Sequence, residues 1–425
     1  MIDKSATALT SGDNWVRNET EIRTFELVIN GKDESNKRLH VWPLECISGS
    51  CTLDSIDEVE LEDGQRLWSD PESWGENGSV PVEGDEVEIQ SGWNMLLDLN
   101  ETPHLKSLTI NGRLTLLNRE DFDIHIMTNH IFVRAGEFFI GTAEEPFKSQ
   151  ATITLMGEQE SETLTLSGTV DGGNKVLGVS GLVSFFGKPR DRMSRLLMPC
   201  YSGQDTIIVE PGLDWQEGDE IYLAPTAAQN THSDYRTIVS YAGGEIVLDE
   251  PLEYYHYGSP ASTEEDYGVD MRGEVLLLSR GIKIHGEDID GWGGQVMATD
   301  LFESDGTWRK GSIIFDNVQV YNCSQKDSYH SAIRFEGATG GYSRISNSAV
   351  HNGLDWGLSI INSNNIEIID NAFVGYRAVG VNLSKFRNST ITGNFVGDVN
   401  SRNLNFIDMT IDKEACWAYN SYYST

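Results

Sequence analysis

The sequence predicts an all-β protein whose C-terminal part is a right-handed parallel β-helix, and three observations carry that prediction. Short runs such as "DEVEIQ" and "GRLTLL" alternate apolar and polar residues, the period of a half-buried strand. The 42 glycines cluster around those runs and mark tight turns. Asn347, Asn371 and Asn394 each follow an apolar alternation, at spacings of 24 and 23 residues, within the range of solenoid repeats.

The elements follow in order. From Leu67, "WNMLLDL", "LKSLTI", "IFVRAGEFFIG" and "ATITLMG" read as short strands, with no sustained helical period before residue 200. Between residues 200 and 260, "DTIIVE", "DEIYLA", "YRTIVS" and "EIVLDEPL" read as further strands. Beyond residue 269, "IIFDNVQV", "SRISNSAV", "IEIIDNAFVG" and "STITGNFVG" form a loose repeat, one coil holding about three strands. Asparagine tolerates a left-handed corner, and stacked corners would align its amides in a ladder.

Composition bounds the rest. A chain of 425 residues with 39% hydrophobic residues can build a core. Its net charge of −35 repels nucleic-acid phosphate, and "KPRDRMSR" is the one dense basic run. No apolar run reaches the roughly 20 residues needed to cross a bilayer. Acidity suits a Ca²⁺-rich exterior, though no Ca²⁺ motif is present and no cofactor is expected; "GATGG" lacks the lysine of a phosphate loop. The cysteines show no CxxC pair, so no zinc site is expected, while Cys46 and Cys51 flank a turn that would close a small disulfide loop. Asn18, Asn77, Asn100, Asn322, Asn382 and Asn388 head glycosylation triplets. The opening residues lack the apolar core of a secretion signal, and the C-terminus has no polar cap; both suggest a piece of something longer.

Candidate sites each have a chemical and a structural reading. On a strand, Asp270, Arg272 and Glu274 in "VDMRGEV" share one face, which suits either a sugar carboxylate or a surface ion-pair row. "DWQEGDE" offers Asp214, Glu217 and Asp219, with Asp219 also placed to bond its own turn. "SYHSAIRFEG" gathers His330, Arg334 and Glu336, a histidine that titrates near neutrality beside a charged face. His351 and Asp355 straddle an expected corner and need not meet; His351 reads as a corner or ladder residue, and Trp356, Leu358 and Ile360 as core.

"LWSDPESWG", "VPVEGDEVEIQSGWNMLLDL", "LKSLTINGRLTL" and "AGEFFIGTAEEPF" together resemble the eight-glycine domain. That domain occurs in fibrocystin, fibrocystin-L and the related hyaluronan-degrading surface proteins. Its glycines match Gly75, Gly84, Gly92, Gly112, Gly136, Gly141 and Gly157, each at a turn. "DWQEGDEIYLAPT", "VDMRGEVLLLSRGIKIHGE" and "SAVHNG" extend the likeness to about Arg402, and "HNGLDWGLSI" resembles the fibrocystin-like branch.

The resemblance implies an unassigned segment at 1–66, an eight-glycine β domain at 67–195, a connecting β region at 196–268 and β-helix repeats at 269–425. It implies a non-catalytic extracellular or cell-surface protein acting in adhesion, ligand binding or structure, with a protein or polysaccharide partner. Hyaluronan-degrading relatives carry acidic residues near Asp219, so the alternative is a hydrolase pairing Asp219 or Asp270 with Glu336 across a groove. A filament built of coils end to end is the third reading.

Overall fold

The computed structural model describes residues 61–425 apart from 76–77, 165, 167–169, 228, 230, 261–269, 408–415, 419–420 and 423–425, and the side chains up to residue 401. Three parallel sheets run the length of this unit. The first begins with Gln65–Leu67 and Asn94–Leu97, the second with Glu86–Ile89 and Ser107–Ile110, and the third with Ile124–Thr128 and Ala151–Leu155. They hold ten, nine and eight strands. Each coil contributes one strand to each sheet, so every strand pairs with the equivalent strands of the coils on either side. The architecture is a parallel β-helix, and the segment that resembles the eight-glycine domain supplies its first coils.

Alternation along each strand sends one set of side chains inward. Ile345, Val350, Leu358, Ile360, Ile368 and Phe373 are wholly buried in the coil interior. Aromatic rings stack from coil to coil there: Phe185 lies 4.9 Å from Phe138, edge to face, and 5.2 Å from Phe315, nearly parallel. Burial of each such side chain contributes about 1.5–3 kcal/mol.

The corners are built by two devices. Gly112, Gly136, Gly181, Gly311 and Gly341 precede the first-sheet strands of five successive coils and stack into a column. A Cβ on Gly136 would sit 2.0 Å from the Gly112 carbonyl oxygen, and one on Gly181 2.2 Å from that of Gly136, so no side chain fits. At the next corner an amide ladder forms. Asn394 Oδ1 accepts from the Asn371 backbone, and Asn371 Oδ1 from the Ser348 backbone, each across 23 residues. The Ser348 hydroxyl then accepts from Val318 N.

Asn347 therefore stands one position off the expected ladder. It shares a left-handed column with Asp370 and Gly393, at φ of 51°, 58° and 67°. The rung belongs to Ser348, whose hydroxyl serves where an amide does in later coils.

A six-stranded antiparallel barrel interrupts the helix between Leu182–Phe186 of the first sheet and Ile282–Gly286 of the third. Its strand order is Met193–Arg195, Glu274–Leu277, Glu220–Leu223, Asp234–Ala242, Glu245–Leu248, Thr206–Ile208. An antiparallel bridge between Leu196 and Val209 joins the outer strands and closes it. Trp215, Ile221, Ile238, Ile246, Val275 and Leu277 fill its separate core. The boundary expected at 269 runs through this barrel, because Glu274–Leu277 pairs with Met193–Arg195 and Glu220–Leu223. Tyr222, Leu276 and Leu278 dock the barrel onto Ala349, Ala372, Val374 and Phe395 on the outer face of the third sheet.

Candidate ligand-binding cleft

Inserting a barrel at a helix corner leaves a cleft beside it, here of about 790 Å³. Three successive corners leading into the third sheet supply one wall: Asp121 and Asp123, then Lys148 to Gln150, then Ser279 to Lys283. Lys188, Arg190 and the Gln216–Asp219 turn of the barrel supply the other. Folding thus gathers Lys148, Lys188, Arg190, Arg280 and Lys283 in one place, although sequence reading found basic residues concentrated only in "KPRDRMSR".

The pairing within the cleft is uneven. Arg190 is neutralised: its Nη2 donates to Asp219 Oδ2 at 2.7 Å and its Nε to Asp214 Oδ2 at 2.8 Å. Lys148 pairs with Glu145 at 2.7 Å. Asp123 accepts from the Ser149 hydroxyl and the Gln150 backbone. Arg280 differs. It is 3% exposed, and among the described residues its guanidinium donates only to the carbonyls of Leu277, Ser279 and Asn347, with nothing bonded to Nη2. Burial, with Arg190 and Arg192 nearby, pushes its guanidinium down to about 10, still charged at neutral pH. Among the described residues, Lys188, Lys283 and Arg280 have no carboxylate within 4 Å, an arrangement that attracts an anion.

Of the residues singled out by sequence, Glu217 and Asp219 line this cleft, Glu217 exposed and Asp219 buried. Beyond Arg190, Asp219 Oδ2 accepts from Gln216 N at 2.8 Å, the turn bond its position predicts. Asp270 and Arg272 are elsewhere on the barrel and precede the strand expected to carry them, which begins at Glu274. Arg272 folds back onto Asp270 with two bonds, at 2.7 and 2.9 Å, and pairs with Glu210, so its charge is held well above the ordinary arginine range. Arg195 takes Glu274 at 2.7 Å.

His330, Arg334 and Glu336 do meet, on the outer face of the second sheet. Arg334 is fully buried and donates to Glu336 and to the Asp171 carbonyl. His330 Nδ1 lies 2.6 Å from Gln325 Oε1, and burial beside Arg334 pushes its imidazole down to about 4. Leu164, packed with Met297, and Asp171, 3.4 Å from His330, lie against the group.

His351 sits within Ala349–Gly353 rather than at a corner, in an outer-face stack of rings with Tyr321 and His285. The docked barrel buries it, which pushes it down to about 4, and Gln319 holds its Nε2 at 2.9 Å. Leu358 and Ile360 are core, as alternation predicts, while Trp356 is only half-buried. Asn100 and Asn388 are exposed and Asn322 half-buried, but Asn382 is buried in the second sheet, where no glycan fits. Asn18, Asn77, Cys46 and Cys51 lie outside the described residues.

Sequence reading missed Lys148, Lys188, Arg190, Arg280 and Lys283 as a group. They are up to 135 residues apart in a chain whose balance is acidic, and only the barrel insertion brings them together.

Residues 73–197 match the family model of the G8 domain. The chain is 30% identical to fibrocystin-L of Homo sapiens over 60% of its own length and 6% of that protein. It is 27% identical to fibrocystin of Canis lupus familiaris over 91% of its length and 9% of that protein. Among solved structures, the tailspike protein gp49 from Pseudomonas phage LKA1 aligns at 12% identity over 79% of this chain and 49% of that one, with a TM-score of 0.20. The chain spans less than a tenth of the fibrocystin relatives it matches. It is similar to the fibrocystins, and its residues 73–197 match the G8 domain.

Proposed function

We propose that this chain is an extracellular segment of a fibrocystin-like surface protein, and that it binds an anionic ligand in the barrel-side cleft without altering it chemically. One observation carries the reading: Arg280 is a buried cation with only carbonyl partners, flanked in an open cleft by the unpaired Lys188 and Lys283. A chain of net charge −35 that leaves three cations unneutralised at one place favours a negatively charged partner there and repels it elsewhere. Binding of that kind serves adhesion or extracellular structure.

Asp219 in the cleft is what a polysaccharide hydrolase reading needs. Its carboxylate is nevertheless taken up by Arg190 and Gln216 N, and the proposed partners Asp270 and Glu336 line other parts of the molecule, each bonded to its own arginine. Asp219 thus faces neither of those partners across the cleft, which supports binding over cleavage. Incubating the purified chain with hyaluronan and sizing the polymer tests this: the expected result is unchanged length. Release of oligosaccharides that Asp219→Asn abolishes would overturn it.

A further inference from the structure

Away from the cleft, a hairpin made by Leu301–Phe302 and Trp308–Arg309 overhangs the column of corner glycines. It encloses a groove of about 310 Å³ lined by Gly136, Glu137, Ser180, Gly181, Trp308 and Lys310. We infer that this groove is a glycan-binding site, in which a pyranose ring lies against Trp308 over the glycine floor.

Four observations point to that ligand. First, Phe302 and Trp308 are 64% and 43% exposed, their rings stacked 2° from parallel at 5.8 Å, an aromatic pair where large aromatics are seldom left in water. Second, the hairpin is held rigid. Glu303 takes Arg134 at 2.6 Å and Arg309 at 2.8 Å, while Asp300 accepts from Gly311, Thr339 and Gly340, so little ordering cost remains for binding. Third, Ser180 lines the groove, and its hydroxyl, buried beneath that surface, has no hydrogen-bond partner among the described residues. A buried hydroxyl without a partner is costly, and a sugar hydroxyl reaching it would supply the missing bond. Fourth, the rim offers polar groups of both kinds. Both bonds from Arg113 go to Glu137 Oε2, leaving Oε1 to accept, and the Lys310 ammonium sits 4.7 Å from the Trp308 ring centre without a carboxylate within 4 Å among the described residues.

An apolar ring face with hydroxyls around its edge fits this arrangement of aromatic pair, hydroxyl and polar rim. The glycine column gives a floor free of side chains, allowing a ring to approach the backbone. The uncompensated Lys310 favours glycans that bear an acidic substituent.

The test is retention of the whole chain on a printed array of neutral, sialylated and uronate-bearing glycans, with a polyproline decapeptide as the competing aromatic-groove ligand. Expected is retention on glycans that falls at least about tenfold in Trp308→Ala, with an unchanged unfolding midpoint. Retention of the neutral glycans should persist in Lys188→Ala/Lys283→Ala, which separates this site from the anion-binding cleft, and Lys310→Ala should weaken the acidic glycans more than the neutral ones. Neutral-glycan retention unaffected by Trp308→Ala, no neutral glycan retained at all, or binding of the decapeptide in place of glycans would each overturn the inference.

Discussion

Arg280 couples the stability of this molecule to the charge of the cleft. Its guanidinium binds three carbonyls from the barrel exit and a helix corner, so Arg280→Met orphans all three. At about 1–3 kcal/mol for each buried acceptor left unpaired, a loss of roughly 3–5 kcal/mol is expected after partial relaxation, read as a lower urea midpoint. The buried histidines set a pH dependence. His330 and His351 are both pushed from 6.5 to about 4, so the folded state keeps them neutral while the unfolded chain takes up protons. Their contribution is fully present above about pH 6.5 and is lost as pH falls towards 4, because there the unfolded state binds more protons. Urea titrations across that window should show stability falling with pH, and His351→Gln should flatten the slope.

The corners are where a single element decides the fold. Asn371 accepts from Ser348 N and donates to the Ile345 carbonyl and to Asn394 Oδ1. Asn371→Ala should cost roughly 2–4 kcal/mol in urea unfolding, from buried groups left without partners. Gly136→Ala drives a methyl into the Gly112 carbonyl and is expected to lower the midpoint further or to prevent folding, seen as loss of the β signal in circular dichroism. The parallel helix was legible because alternation and a repeat of fixed length leave few other architectures. The ladder was read one residue out at Asn347, since counting asparagines overlooks Ser348, whose hydroxyl does the same bonding. The barrel was legible only as strands. "DEIYLA" and "EIVLDE" alternate like the coil strands, and alternation carries no information about parallel or antiparallel pairing.

For the whole molecule, the barrel's docking through Tyr222, Leu276 and Leu278 predicts that barrel and helix unfold together, as one calorimetric transition. Charge acts at the same scale. Lys188, Arg280 and Lys283 face a strongly acidic remainder, so ligand binding should weaken as salt is raised. The most direct measurement is calorimetric titration of the intact chain with a heparin-derived tetrasaccharide, for wild type and for Lys188→Ala/Lys283→Ala. The account predicts binding to the wild type that is about tenfold weaker in the double variant, with the fold and the length of the sugar unchanged. Equal affinity in the two proteins, or a tetrasaccharide cut during the titration, would contradict it.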